Sequence, residues 1–336
     1  MNELAPLENS NAVVTGANGF IGSHLVDVLS EHGCRVHALV RKTSNLRFLQ
    51  KSSKVLLHTI DLTRPDSLAP SLEQADFVFH CAGLTKAKTR EEYFKINADA
   101  CLPFYESCAS MGKKIKAVIH LSSLASVGPK EDQGAINETS PCRPLTFYGK
   151  SKLAGEEAAL KFSSSLPMIV LRPPVVYGPR ESNFFTYLRA VQKGWKIKIG
   201  TVHRELSLIH AWDLVRAMVK AALHLPPKEN VFFVTDGNTY SWDDVVDTLI
   251  KILGVQARTI VIPEKVLGTI ASLSEFLAWF GISPALFDRQ RVIDVRQSSW
   301  TASSQKFFDT FGFRPLFGLE RGLRDTLDWY KKNNWL

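Results

Sequence analysis

The chain is short of several things. Its 336 residues contain no internal repeat and no low-complexity segment. It has only five cysteines, Cys34, Cys81, Cys101, Cys108 and Cys142, with no C-x-x-C pair and no His/Cys spacing suited to a metal. An odd count of this kind, behind ten polar opening residues that carry two glutamates, points to free thiols in a reducing cytosol; neither secretion nor a mitochondrial address is indicated, and a cytoplasmic protein is expected. Long basic runs are missing too. The formal charge of +8 is scattered in pairs such as Arg41-Lys42 and Lys113-Lys114. We read it as steering for an anionic cofactor or substrate and exclude nucleic acid as a partner. One apolar run stands out, residues 266–282, but it is at the short limit for a membrane span and holds Glu275 and several hydroxyls. No transmembrane segment is expected. The run reads as a half-buried helix capping a substrate pocket, with contact to a membrane surface or a lipid-like substrate as the alternative.

What is present describes a globular chain able to bury a large core: 45% apolar and 22% charged residues. The length suits two domains, or one dinucleotide fold with a substrate-binding appendage. The organising stretch is residues 15–22. An apolar run at 11–14 leads into it, and residues 25–29 leave it with helical spacing. Strand, glycine turn and helix make a dinucleotide-binding unit from Gly16, Asn18, Gly19, Phe20, Ile21 and Gly22. Gly16 permits the tight turn, Gly19 lets a pyrophosphate approach the backbone, and Gly22 lets the helix pack close to the strand. The amides at the helix start then hold the phosphates.

Further strands are expected at 34–40, 55–60, 76–80 and 116–121, the pattern of a parallel sheet. At the end of the second stand Arg41 and Lys42, where an acidic residue would bind the 2′-hydroxyl of NAD. Arg41 can stack on adenine or pair with a 2′-phosphate, assisted by Lys42 or Ser44, unless the two cations simply sit on a solvated loop. They favour NADP and do not exclude NAD. Asp61-Leu62 follows the third strand; Asp61 can accept from the adenine amine, or serve as an N-cap or turn residue for the Pro65-Asp66 segment. Ala82 and Gly83 follow the fourth strand and are small enough for a cofactor to lie along the strand ends. Residues 93–111 read as one long helix in which Asn97 braces the neighbouring strand.

The fifth strand delivers Ser122-Ser123 at its carboxyl end, the ligand side of an open α/β sheet. Tyr148 and Lys152 then open a helix, four apart and on one face. A free phenol, with a pKa near ~10, is a poor base at neutral pH. A neighbouring ammonium and the positive charge of an oxidised nicotinamide lower that value. Lys152 can also hydrogen-bond the nicotinamide ribose while a serine hydroxyl holds the substrate oxygen. Alone, such a Tyr/Lys pair is a common solvated helix face. Behind a dinucleotide turn and a strand-end Ser-Ser it reads as catalytic.

With residues 15–22, Asp61-Leu62, 121–129, 148–152 and 171–179, the whole length resembles the extended short-chain dehydrogenases/reductases: NAD(P)-dependent epimerases, dehydratases and 3β-hydroxysteroid dehydrogenases. The resemblance implies a Rossmann-type doubly wound parallel sheet over residues 1–180, with 205–237 returning to it. It also implies a smaller α/β substrate-binding part from 181–204 and 238–336. By position, Ser123 would polarise the substrate, Tyr148 would be the acid/base and Lys152 its activator. Pro173 through Val176 would line the nicotinamide. His210 and Asp213 would be structural, Asp213 capping its helix. A homodimer built on the 93–111 and 148–162 helices is expected on the same resemblance.

Departures from the family's patterns narrow the activity. Dehydratases carry Thr-Asp-Glu where this chain has Ser122-Ser123-Leu124, so dehydration is not expected. Sugar 4-epimerases usually place an Arg where Leu206 stands, the nearest cation here being Arg204. The 121–129 stretch and the apolar 266–282 helix look more like the hydroxysteroid dehydrogenase and dihydroflavonol-reductase branches. The expectation is therefore an NAD(P)-dependent oxidoreductase acting on an apolar alcohol or ketone. A nucleotide-sugar 4-epimerase with tightly held NAD and a catalytically idle dinucleotide sensor are the alternatives.

Overall fold

The computed structural model describes residues 7–49, 52–64, 68–111, 115–130, 134–226, 230–279 and 289–336. Lys113-Lys114, Pro65-Asp66 and the last three residues of the apolar 266–282 run lie outside them. The first half alternates strand and helix: β1 Asn11–Thr15, α1 Phe20–Glu31, β2 Arg35–Val40, β3 Val55–Thr59, α2 Ala69–Leu72 and β4 Phe77–His80. There follow α3 Arg90–Phe94, α4 Cys101–Ser110, β5 Ala117–Leu121, α5 Phe147–Leu160, β6 Met168–Arg172 and β7 Val175–Tyr177. The second half runs α6 Ser182–Gln192, β8 Trp195–Ile199, β9 Glu205–His210, α7 Ala211–Leu223, β10 Val231–Phe233, β11 Thr239–Ser241 and α8 Trp242–Leu253. It ends with β12 Arg258–Ile262, α9 Glu264–Trp279, α10 Arg289–Val295, β13 Ser299–Trp300, α11 Gln305–Phe311 and α12 Leu319–Lys332.

Seven strands form one parallel sheet in the order β10-β6-β5-β4-β1-β2-β3. The central strands are apolar almost throughout because both faces are covered. Ala12 and Val14 of β1 point into one core with α1, α7 and α11, while Val13 points into the other with α2, α4 and α5. The fold is thus a doubly wound Rossmann-like α/β sheet. Its order reverses between β1 and β4, and the crevice outside their carboxyl ends is where such sheets bind ligands.

Three expected features take a different form. The helix predicted at 93–111 is interrupted: Lys95–Asp99 is a π-helical turn in which the Ala100 N–H reaches Lys95 O at 3.1 Å. Pro103, which has no N–H to give Asp99, is the visible sequence cause. Second, β9 does not return to the large sheet. It sits in a small one between β11 and β13 and also pairs with β7; only α7 and β10 rejoin the main body. Third, Asp213 does not cap its helix. Fully buried, it accepts from the backbone of Leu316 (3.0 and 2.9 Å) and Phe317 (2.8 Å) and pairs with Arg216, so it ties the segment before α12 to α7.

The small sheet packs with α6, α8 and α12 on a separate core of Leu188, Leu206, Leu208, Val246, Leu249 and Leu327. A capping box opens α8: the Ser241 hydroxyl accepts from the Asp244 N–H at 3.0 Å, and Asp244 answers at the Ser241 N–H. The apolar run read at 266–282 falls on α9, which buries Leu267 and Ala271 against α10 and leaves Val266 and Ile270 largely exposed. No helix among the described residues is long and apolar enough to cross a membrane.

Candidate active site

The glycine turn occupies the reversal point of the sheet. Gly16 takes φ +62°, and a Cβ there would lie 2.9 Å from the Ala82 backbone, so only glycine lets β1 and β4 end side by side. A Cβ on Gly22 would stand 2.2 Å from Gly16 O, so α1 can start this close to the strand only without a side chain. Gly19 is the N-cap of α1. No side chain caps the first turn and no acidic residue sits in it, which suits an anion at the amides. Asn18 donates to Asn45 O at 3.2 Å and so ties the turn to the loop after β2. Phe20 meets His24 edge-on, and Ile21 packs on the core.

At the end of β2, Arg41 and Lys42 are exposed. The Arg41 N–H donates to Ser44 Oγ at 3.0 Å, so Ser44 shapes the turn that presents the two cations. Asp61 is a turn residue here: its carboxylate accepts from the Thr63 N–H (3.0 Å) and hydroxyl (2.7 Å), bonds that hold it below the usual carboxylate range. Leu62 packs against the core beneath. After β4, the Ala82 N–H donates to Thr15 Oγ1 at 3.0 Å. Gly83 is pressed by Asn97, which clamps Leu84 through both its backbone groups (2.7 and 3.0 Å). Asn97 therefore braces the loop after β4 rather than a strand. The Pro173 carbonyl accepts from the Leu124 N–H at 2.8 Å, which places residues 173–176 beside Ser123; Pro174 and Val175 line the adjoining cavity, and Val176 packs on the core.

Thr146 caps α5 by accepting from the Gly149 N–H at 3.2 Å, and this fixes where Tyr148 and Lys152 emerge. Ser123 Oγ accepts from the Ala125 N–H at 3.1 Å, and Ser123 lines the same cavity as Tyr148. Lys152, buried, donates to Leu121 O at 2.6 Å, and its Nζ lies 3.8 Å from where a Cβ on Gly83 would sit. Ser123, Tyr148, Lys152 and Gly83 thus meet at the carboxyl ends of β4 and β5. Burial raises the phenol of Tyr148 above its ordinary value; Ser123 pulls it down, while Tyr93 and Asp294 oppose ionisation. Lys152 does not reverse this, and burial lowers its own pKa. At neutral pH the Tyr148 phenol carries its proton.

The floor under this group is polar and closed. Glu156 of α5 and Arg172 of β6 form a buried ion pair, with Arg172 Nε at 3.0 Å from Glu156 Oε2. The hydroxyls of Ser122 (2.9 Å) and Ser126 (3.4 Å) donate to the same carboxylate and so bracket Ser123. Beside Lys152, three side chains able to ligate a metal converge from distant positions: His80, Cys101 and His120, all buried. Thr15 and Tyr105 hold the two rings at 3.1 and 2.6 Å. Linear spacing gives no sign of this cluster. Burial drives His80 down to about 3 and pushes the Cys101 thiol up to about 11.

Above Ser123 and Tyr148 opens a cavity of about 760 Å³, within the range that holds a drug-sized ligand. Its walls are mainly aliphatic and aromatic, among them Leu124, Ile199, Leu206, Leu267, Trp242 and Trp300. Two of its cations are occupied. Lys198 pairs with Asp243 at 2.7 Å; Arg204 pairs with Glu264 at 2.5 Å and donates to Ile199 O at 2.7 Å. Asp294 and Arg291 of α10 line the same cavity, as do Tyr187 and Trp242. None of these four was foreseen as a site residue.

The model of the NAD dependent epimerase/dehydratase family matches residues 12–233. A ceramide reductase of Caulobacter vibrioides is 28% identical over 327 residues, covering 96% of this chain and 95% of its own. A decarboxylating sterol-4-alpha-carboxylate 3-dehydrogenase of Saccharomyces cerevisiae is 26% identical over 346 residues, covering 95% and 97%. Among solved structures, MoeE5 in complex with UDP-glucuronic acid and NAD superposes with a TM-score of 0.76 at 26% identity, covering 96% of this chain and 100% of that one.

Proposed function

Because the chain belongs to the NAD dependent epimerase/dehydratase family and is an NAD(P)-dependent oxidoreductase, we propose that it interconverts a secondary alcohol and a ketone on an apolar small molecule, with Tyr148 as acid/base. The observation that carries this reading is the placing of Ser123 and Tyr148 in the wall of a large apolar cavity whose Lys198 and Arg204 are already paired with carboxylates. Two relatives named for ceramide and for a sterol carboxylate agree with an apolar substrate.

The residues fit a dinucleotide: at Gly16 and Gly22 a Cβ would strike the backbone of Ala82 and of Gly16, so only glycines allow this tight turn into a helix start, and Gly83 leaves room beside Lys152. When bound, the nicotinamide supplies or accepts the hydride. Ser123 holds the substrate oxygen. Tyr148, protonated at neutral pH, gives its proton to that oxygen as the carbonyl carbon becomes a secondary alcohol carbon, or takes it back in the reverse direction. Lys152 offers positive charge behind the phenol, strongest at the moment a phenolate forms. The exposed Arg41 and Lys42 suit the 2′-phosphate of NADP. An epimerase would need a cation for a diphosphate; Lys198 and Arg204 are neutralised by carboxylates, which disfavours it.

The test is Tyr148→Phe, assayed against apolar ketones with NADPH. Turnover should fall by about 10²–10⁴-fold with dinucleotide affinity nearly unchanged. A variant that keeps more than a few per cent of wild-type turnover would remove Tyr148 from its role.

A further inference from the structure

A second chamber of about 270 Å³ lies behind the main cavity. It is lined by Phe184, Leu208, Val245, Leu319 and Leu323, and it is smaller than a free-standing ligand site usually is. Three residues line both spaces: Val175, Tyr187 and Trp242. The two aromatic rings meet edge-on with centroids 4.7 Å apart. The pair is also pinned. Trp242 Nε1 donates to the Tyr187 hydroxyl at 3.0 Å, and that hydroxyl donates to Ile197 O at 3.1 Å. Trp242 is the first residue of α8, so the capping box at Ser241 fixes the backbone from which it projects. Two rings joined by one hydrogen bond and anchored to β8 by another make a wall with apolar space on both sides.

We propose that Tyr187 and Trp242 form the partition that sets how long a hydrocarbon the substrate cavity accepts, and that the chamber behind them is a latent subsite for an unbranched alkyl chain. This rests on the apolar-substrate reading above. The main cavity begins at Ser123 and Tyr148 and reaches the partition, so a chain whose oxygen sits at the phenol would run toward the rings and stop there. Beyond the rings the walls are aliphatic and aromatic. The one carboxylate at the chamber's edge, Glu181, is engaged by the Phe184 N–H. That chemistry accepts methylenes.

The experiment uses straight-chain alcohols of increasing length, titrated calorimetrically into the dinucleotide-loaded protein, with turnover of the matching methyl ketones followed in parallel. Wild-type affinity should rise about fourfold per methylene and then level off where the chain meets the rings. In Trp242→Ala the rise should continue over several further methylenes. Tyr187→Phe keeps both rings and loses both hydrogen bonds, so it should move the limit by a smaller amount, and it decides the matter if Trp242→Ala no longer binds dinucleotide. The same levelling-off length in all folded variants overturns the partition and leaves the apolar substrate standing. Alcohols that bind with shifted limits while no ketone is turned over keep the partition and overturn the redox reading. Alcohols that do not bind the wild type at all overturn both.

Discussion

Glu156→Gln takes one charge and almost no volume from the floor of the site. The carboxylate it replaces accepts from Arg172, Ser122 and Ser126. The side chains of Glu156 and Arg172 are 2% and 6% exposed, so the guanidinium left behind cannot turn to water. Breaking a buried pair from one side costs about 3–5 kcal/mol, against a total stability of about 5–15 kcal/mol. At about 2.1 cal/mol/K per residue, a chain of 336 residues has an unfolding entropy near 0.7 kcal/mol/K. The melting temperature should therefore fall by about 4–7 °C. Arg172→Met in the same chain should recover part of the loss, since an apolar replacement of the whole pair leaves no stranded charge. Because Ser122 and Ser126 flank Ser123, kcat should drop more than KM rises. Thermal unfolding of the two variants, followed by circular dichroism, is the assay. A shift below about 1 °C for Glu156→Gln, or a double variant less stable than the single one, would refute the reasoning.

Gly22→Ala puts a methyl 2.2 Å from Gly16 O, which the turn can relieve only by moving its own backbone; calorimetric titration should show dinucleotide binding lost, with a stability loss of at least about 1–3 kcal/mol. Arg41→Ala should weaken NADPH much more than NADH in the same titration, and equal losses would leave Arg41 without a part in choosing the cofactor. Tyr148 is raised mainly by burial, with Asp294 among the groups that oppose its ionisation. Ketone reduction, which needs the phenol, should hold steady through neutral pH and decline only in alkali. In Asp294→Asn that alkaline limb should move to lower pH; an unchanged pH–rate profile would show that Asp294 exerts no field on the phenol.

How much was legible beforehand depends on how local each signal is. The central strands of the large sheet are apolar because both faces are covered, so β1, β2, β4 and β5 and the glycine turn stand out as short runs with punctuation. Tyr148 and Lys152 lie one helical turn apart, and Ser123 ends a strand, so neighbours in sequence announce them. Asp294 carries no such mark: it reaches Tyr148 because α10 folds back from almost 150 residues away. His80, Cys101 and His120 are separated in sequence and meet only because β4, β5 and α4 are adjacent. Asp213 looked like a cap from its place in α7, yet its partners, Leu316 and Phe317, lie about a hundred residues on. The burial that raises Tyr148 is likewise unmarked: a nearby ammonium can be read from spacing, whereas desolvation is a property of the assembled interior.

The π-helical turn at Lys95–Asp99 has a bearing on inheritance. It adds one residue to a helical path by widening one turn. Ahead of it, Tyr93 faces Tyr148, with ring centroids 6.3 Å apart. Within it, Asn97 holds the loop after β4, and Gly155 of α5 comes so near that a methyl there would sit 1.9 Å from Asn97 O. Past it, Cys101 and Tyr105 turn to His80 and His120. Substitution at 95–99 can be absorbed residue by residue, but loss of a single codon would close the wide turn to an α-turn, which keeps the flanking faces in register and withdraws the bulge that sets Asn97 against the loop beside Lys152. Along this helix the gene is constrained in its count of residues as much as in their identity.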